Sequence, residues 1–527
     1  ADAESSSNLL IIGTSGADSV TLGGGNDVVS LGASADYVDA QHASADSMDL
    51  GTGDDTVVFG TDMGADDTVL GNAGTDVLVY QDTTGTGAEL NNVYDIERVV
   101  ATGAVKLTLT DSVFSAANAT VDASGADSLS LNAYNESTSN LLIIGNGGAD
   151  SVTLGGGSDV VSLGANDDYV DARRASADSI DLGADNDTVV FGSELSLADT
   201  VEGGSGTDVL SYNDTNSGSD ELNKVFNIER VIATGAVTLT LTDSVFSAAN
   251  ATVDASGATS LTLNADAESS SDLLIIGTTG VDSVTLGGGD DVVSMGSGTD
   301  YVDARHASVD SINLGADNDT VAFGTELSGA DTIDGETGID TLLFEGSASN
   351  NTALDNVRNV EYVSVTGTNV YLTLSNAMVA SADAQLTIDA SSAGSLTIDG
   401  SGVTDTVASF YLIGTGGVDL VTLGAANDVA SLGSSNDVVD AHFGGNDSIG
   451  LGDGADSVNF GSAVSAADTV YGGIGTDVLS YNDTTSTGDE LDNVYDVERV
   501  VITSAGLANL TLTDSVFSAT ASTAVGS

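Results

Sequence analysis

The sequence predicts an all-β fold, a parallel β-solenoid built from four tandem repeats of ~132 residues. Three observations carry this. An Asp-x-apolar triplet returns about every nine residues in long tracts. Each triplet follows a Gly-rich turn and opens a short apolar run, so two successive nonapeptides make one coil of turn, strand, turn, strand. The 527 residues contain no Pro, against a usual ~5%. Pro removes a ladder donor, and a chain that is mostly paired strand excludes it almost everywhere.

The first tract, Gly13–Tyr80, places Asp at 18, 27, 36, 46, 55, 67 and 76, with spacings of 9, 9, 10, 9, 12 and 9. Typical lead-ins are Gly13-Thr-Ser-Gly-Ala-Asp18, Gly23-Gly-Gly-Asn-Asp27 and Gly71-Asn-Ala-Gly-Thr-Asp76. In a stacked coil Val20/Leu22, Val29/Leu31 and Val57/Phe59 point inward and fill a thin core. The stretch Gln81–Asn132 loses the nine-residue beat. Val105–Thr110, Thr120–Gly125 and Ser128–Leu131 alternate apolar with small polar residues and read as strands. Only Ser115–Asn118 and Glu89–Asn92 suggest helical turns.

The whole pattern recurs. Asn8–Gly13 returns as Asn140–Gly145, Asp272–Gly277 and, loosely, Phe410–Gly414, at offsets of 132, 132 and 137. The repeats expected are 1–132 (nonapeptides 13–80, β-rich 81–132), 133–264, 265–401 with a diverged second half, and 402–527. The second tract has Asp150, Asp159, Asp168, Asp178, Asp187, Asp199 and Asp208. The third has Asp282, Asp291, Asp300, Asp310, Asp319, Asp331 and Asp340, and the fourth Asp419, Asp428, Asp437, Asp447, Asp456, Asp468 and Asp477. In the third repeat Val360-Glu-Tyr-Val363 replaces Ile-Glu-Arg-Val, and Asn376 stands near an expected Asp. No Pro-rich or charged tether separates the repeats, which predicts one continuous stack. At about seven coils per repeat, each would be on the order of 33 Å long.

Nine Lys+Arg stand against 80 Asp+Glu, a formal charge of −71. That sign excludes a nucleic-acid partner and gives no basic footprint for membranes, and it favours cations. There is no Cys, hence no disulfide, thiolate site or Cys nucleophile. No apolar run is long enough for a spanning helix.

Coil stacking sets Asp18 over Asp36 over Asp55 along one edge and Asp27 over Asp46 along the other. Carboxylates at strand spacing, roughly 5 Å, repel. A hard divalent cation removes the conflict, since Ca²⁺ takes 6–8 oxygens from carboxylates and backbone carbonyls. Gly lets carbonyls turn inward at low steric cost. Mg²⁺ wants a stricter octahedron and keeps its waters. About five same-edge pairs per repeat give on the order of 20 sites, enough to neutralise about 40 of the excess negative charges. One Gly-Asn-Asp is an ordinary turn, whereas 28 carboxylates in register point to metal, with folding coupled to binding.

Gly13-Thr-Ser-Gly-Ala-Asp-Ser-Val-Thr21 and Gly71-Asn-Ala-Gly-Thr-Asp-Val-Leu-Val79 resemble the glycine-rich nonapeptides of RTX proteins, the hemolysin-type calcium-binding repeats. The resemblance covers Gly13–Tyr80 and its counterparts, about half the chain. It implies a parallel β-roll, Ca²⁺-dependent folding outside the cell, and type I secretion by Gram-negative bacteria. Members include toxins, proteases, lipases, adhesins and surface-layer proteins, so the repeat alone does not choose a function. Some copies depart from the pattern. Gly32-Ala-Ser-Ala-Asp36 lacks the second Gly and Gln41-His-Ala-Ser-Ala-Asp46 has none, which makes them candidates for weak or empty sites.

Catalytic motifs are missing. There is no His-Glu-x-x-His, no Gly-x-Ser-x-Gly elbow and no P-loop, and the chain is expected not to be an enzyme. His42, His306 and His442 belong to one turn type, matched by Arg173-Arg174, and are expected to pair with carboxylates. Arg98, Arg230 and Arg499 recur in Ile/Val-Glu-Arg-Val as structural ion pairs. Tyr37, Tyr169 and Tyr301 should point outward. Thr238–Thr242 reads as an ordinary strand ahead of an ice-binding array.

Ala1–Ser7 matches Ala265–Ser271, and the chain stops after Asp514-Ser-Val-Phe-Ser-Ala519 and the tail Thr520–Ser527. A solenoid cut at one phase exposes strand edges that can pair, and no polar caps are evident. The expected function is a secreted Ca²⁺-binding structural protein that self-assembles into an extracellular filament, surface layer or biofilm matrix. The partners expected are a second copy, head to tail, and cell-surface polysaccharide. Alternatives are the stalk of a large adhesin, or the RTX portion of a secreted enzyme without its catalytic domain.

Overall fold

The fold was obtained as a computed structural model. It describes residues 6–42, 44–81, 87, 89–174, 176–213, 221–246, 248–306, 308–346, 352–382, 385–482, 488–503, 511–513, 515–517 and the strand Thr523–Gly526. The chain divides into two compact units, Ala1–Ala258 and Thr259–Ser527. Both are parallel β-solenoids.

In the first unit the nonapeptides form strands of mostly three residues, such as Ser19–Thr21, Tyr37–Asp39 and Thr56–Val58. Each pairs in parallel with the strand one coil later, Val20 with Val38 and Val38 with Val57. The strands are short because the apolar pair is short and the next Gly-rich turn follows at once. One ladder runs unbroken through Val38, Val57, Leu78, Val99, Val121, Ile143 and Val161. All seven are buried, and each contributes about 1.5–3 kcal/mol. Leu22, Val29, Leu31, Val57 and Phe59 are buried as expected, while Val20 is half-buried. Its counterpart Val152 is covered by Leu131 of the preceding coil.

The β-rich half continues the same solenoid without Gly-Asp turns. Arg98–Thr110 and Asn118–Asn135 are long strands that pair with each other through register shifts near Gly103 and Ala126. The bulges let one strand pass a corner that elsewhere needs a turn. Asn118–Asn135 pairs with Asn140–Ile144 along its first part and Ser151–Thr153 along its last, so it lines both faces. It also runs straight through Asn132, and no linker stands at that join. Glu89–Asn92 is a 3₁₀ turn, as its sequence suggests. Ser115–Asn118 is not helical: a bend leads directly into the strand that starts at Asn118, because ladder pairing outweighs the weak local preference.

The coil count differs from the expected seven. Seven steps carry the ladder from Val20 to Val161, yet Val161 is the 132-residue counterpart of Val29 and not of Val20. A repeat therefore spans a half-integral number of coils, and its two edges exchange places in the next.

The second unit behaves alike. Its ladder runs Val284, Val302, Val321, Leu342, Val363, Ile388, Leu412, Ala430. Here the diverged stretch carries the α-helix Asn376–Ser381, N-capped by Ser375 Oγ accepting from Met378 N. Met378 and Val379 of this helix are buried. The tail strand Thr523–Gly526 pairs with Arg499–Ile502. The terminal pieces Ala1–Ser5, Asp514 and 518–522, on which the expectation of unfinished ends rests, lie outside the described residues.

Turn packing makes one strong demand. Gly51 has φ of +101°, and a Cβ there would lie 2.2 Å from Gly32 O of the preceding coil. Gly51→Ala is expected to cost more than the ~1–3 kcal/mol of a left-handed backbone alone. Gly16→Ala, whose nearest neighbour is 3.8 Å away, should be nearly silent. Thermal unfolding of the two variants compares them; equal midpoints would refute the stacking.

Candidate metal centre

Two nonapeptide periods make one coil, so each Asp lies one coil from the Asp two before it, with its side chain under that residue's backbone. In the first tract Asp18 N donates to Asp36 Oδ1 at 2.8 Å, Asp36 N to Asp55 at 2.7 Å and Asp55 N to Asp76 at 2.9 Å. On the opposite edge Leu9 N, Asp27 N and Asp46 N donate to Asp27, Asp46 and Asp67, each at 2.8 Å. The second tract repeats this with Asp150, Asp168, Asp187, Asp208 and with Asp159, Asp178, Asp199. The third aligns Asp282, Asp300, Asp319, Asp340 and Asp291, Asp310, Asp331. The fourth aligns Asp419, Asp437, Asp456, Asp477 and Asp428, Asp447, Asp468. All 28 residues singled out from sequence stand in these columns, a long one and a short one per tract.

Every one of them except Asp18 is buried. Asp36 and Asp46, in the degenerate turns, are held like the rest. Ser34 takes the positive φ, +82°, that a Gly supplies elsewhere.

One carboxylate oxygen is thus fixed by an N–H, and the fate of the other depends on position. The first Asp of each long column takes its own turn's N–H on Oδ2, as Thr14 N on Asp18 and Thr415 N on Asp419. The last Asp of each short column does the same, as Gly64 N on Asp67. Between them the second oxygens are buried and unpartnered at Asp27, Asp46, Asp55, Asp76, Asp159, Asp168, Asp187, Asp208, Asp291, Asp300, Asp319, Asp437, Asp447, Asp456 and Asp477. Burial first, then neighbouring carboxylates, pushes Asp291 and Asp447 up to about 8 and Asp159, Asp168, Asp319 and Asp437 up to about 7.

These atoms fit a hard cation. A buried charged group without a partner costs several kcal/mol, as much as the inward apolar side chain of the same coil contributes. The surrounding surface is oxygen-rich: a Cβ at Gly204 would lie 1.9 Å from Gly183 O and one at Gly473 2.1 Å from Gly452 O. Among the described residues no three His, Cys, Asp or Glu side chains converge. Coordination here would draw on carboxylates of successive coils together with backbone oxygens.

Sequence reasoning missed four column members. Glu97, Glu229, Glu361 and Glu498 accept from the N–H of Asp76, Asp208, Asp340 and Asp477 at 2.7–2.8 Å, so each ends a long column. In Ile-Glu-Arg-Val the Arg is the more conspicuous residue, one of nine basic residues in the chain. The Glu was the better signal, because Val360-Glu-Tyr-Val363 keeps it and loses the Arg. The Arg side chains do form ion pairs, Arg98 with Asp122 and Arg230 with Asp254. His306 meets Asp266 at 2.8 Å and His442 meets Asp440 at 2.7 Å. Tyr37 and Tyr169 face outward, 40% and 38% exposed. Thr238, Thr240 and Thr242 are half-buried on the strand Arg230–Thr242.

A family model described as RTX calcium-binding nonapeptide repeat (4 copies) matches residues 10–40, 142–172, 174–193, 198–221, 274–302, 327–342, 413–445 and 465–483. Asp46, Asp55, Asp67 and Asp76 fall outside these segments yet share the geometry of their matched counterparts Asp178, Asp187, Asp199 and Asp208. No curated protein matches the chain. The eight matched segments and the columns they build show that the chain carries RTX calcium-binding nonapeptide repeats.

Proposed function

We propose that this is a secreted structural protein whose β-roll is completed by calcium and which assembles with copies of itself into an extracellular filament, surface layer or matrix. The observation that carries the reading is the set of buried, unpartnered Asp oxygens in register. In a cell interior poor in Ca²⁺ the columns repel and the chain stays loose; outside, cations fill them and the coils stack. RTX repeat proteins are typically secreted, and among the described residues no helix is long and apolar enough to cross a membrane. The 28 column Asp residues are the proposed ligands, with backbone oxygens completing each shell.

A structural role fits the uniformity of the chain. Each column Asp has a counterpart at the same place in every tract, so no single one stands out as a catalytic group. Self-association is supported by outward apolar pairs at equivalent places in the second and third tracts: Leu142 beside Val160 and Leu274 beside Val292, all at least 40% exposed. A lattice needs such repeating contacts, and calcium lowers the charge that would otherwise keep copies apart.

Electron microscopy with and without Ca²⁺ tests this. Ordered polymers are expected in millimolar Ca²⁺ and none in EGTA. Isolated particles at all concentrations would sink the assembly reading and favour a stalk or an enzyme's carrier segment.

A further inference from the structure

The short columns of the second and third tracts each have a carboxylate at the head that does not come from a nonapeptide. In the turn before Asp159 the chain reads Glu136-Ser-Thr-Ser-Asn140-Leu141, and Leu141 occupies the place one coil before Asp159 where a nonapeptide would carry Asp. Glu136 lies outside the segments matched by the repeat family, as does Glu268 in the equivalent turn before Asp291. Both side chains are 0% exposed. Glu136 Oε1 accepts from Thr138 N at 3.0 Å, Thr138 Oγ1 at 3.1 Å and Ser139 N at 2.8 Å. Glu268 Oε1 accepts from Ser270 N and Ser271 N at 3.1 and 2.9 Å. The second oxygen of each, Oε2, is buried and has no partner, and the same is true of Oδ2 on Asp159 and Asp291 in the next coil.

Backbone oxygens of the same turns crowd the glycine four residues before each Asp. A Cβ at Gly155 would lie 2.2 Å from Glu136 O and 2.4 Å from Ala133 O, and one at Gly287 2.1 Å from Glu268 O and 2.3 Å from Ala265 O. The fourth tract supplies a contrast. Asp405 holds the equivalent position, one methylene shorter; its Oδ1 likewise accepts from its own turn, from Val407 N at 2.8 Å, but the side chain is exposed.

We propose that Glu136 with Asp159, and Glu268 with Asp291, each form an additional calcium site that closes the head of a short column. Two carboxylates bring two negative charges, matching one divalent cation, and the turn carbonyls supply the neutral oxygens that Ca²⁺ takes readily. A capping role alone does not explain the arrangement. Accepting from two backbone N–H groups needs one oxygen, which an uncharged Gln would offer equally well, whereas a second buried, charged oxygen is costly without a cation. The proposal rests on the calcium reading of the columns and extends it to residues beyond the nonapeptides.

Native mass spectrometry of the full chain, which resolves individual bound Ca²⁺ ions, tests it. At saturating Ca²⁺, Glu136→Gln and Glu268→Gln should each carry one ion fewer than the parent, and the double variant two fewer, with circular dichroism unchanged. An unchanged count with calcium otherwise bound overturns this proposal alone. A variant that loses most of its calcium together with its strand content also overturns it, since the carboxyl would then serve the fold and not one ion. A parent chain that binds no calcium overturns both this proposal and the reading beneath it.

Discussion

Chelation at neutral pH is expected to remove most of the strand content of this chain, and returned calcium to restore it. The cause lies in the opposing magnitudes within each coil. An inward Val or Leu contributes about 1.5–3 kcal/mol. The carboxylate at the same coil's edge costs several kcal/mol when buried charged with one oxygen unpartnered, and its neighbours one coil away raise that cost. Without a counter-ion the two terms roughly cancel, and the entropy of the unordered backbone favours the loose chain. Each cation bound only by the folded form adds RT ln(1 + [L]/Kd), ~2.7 kcal/mol at a hundredfold excess over Kd, and the columns offer many such places. Circular dichroism during an EGTA titration reads this directly, and Mg²⁺ at the same concentration should restore less. Strand content indifferent to EGTA would sink the metal argument.

Acid should replace calcium. In the metal-free chain Asp76, Asp187 and Asp208 are pushed up to about 6, Asp168 and Asp319 to about 7, and Asp291 and Asp447 to about 8, in every case chiefly by burial. A carboxyl whose folded pKa is raised holds its proton in the folded form over a range where the unfolded form has lost it. Its stabilisation is complete below the unfolded value of about 4 and disappears as pH rises through 6 to 8. The apo chain should therefore gain strand content on acidification from pH 8 to pH 4 and lose it on return. In saturating calcium the order reverses, because protons compete with the ion for the same oxygens. Circular dichroism against pH, with EGTA and with Ca²⁺, should give curves of opposite slope. Apo strand content that falls on acidification would refute the assignment of buried, charge-averse carboxyls.

Much of this was readable in the residues. The Asp beat predicted the coil, the missing Pro predicted paired strand throughout, and the alternation after Gln81 predicted strands where the turns stop. The stacking of Asp18 on Asp36 on Asp55 follows from the period alone. The gaps have physical causes. Glu97 was passed over because a single Glu in a strand carries no spacing signal until the coil beneath Asp76 is known. Glu136 was invisible for the same reason: it fills the column from five residues before Leu141, out of phase with the beat. Ser115–Asn118 looked locally helical, and parallel pairing overrode it. Asp36 looked weak because its turn lacks the second Gly, and Asp46 because its turn has none; in the Asp36 turn Ser34 adopts the left-handed backbone itself, which a small polar residue tolerates better than a branched one.

Sequence by itself determined the repeating chemistry: one turn, one carboxylate and one inward apolar pair per nonapeptide, because side-chain direction in a strand alternates with every residue. Only the tertiary structure decided how the repeats join. The long corner strands Arg98–Thr110 and Asn118–Asn135 carry the chain through bulges and not turns, so a repeat closes on a half coil. The ladder begun at Val20 therefore reaches Val161, and the column headed by Asp18 lies on the edge later taken up by Asp159. Residue counts cannot reveal that exchange, since a strand that turns a corner and a strand followed by a turn use similar lengths of chain and differ only in where their hydrogen bonds go.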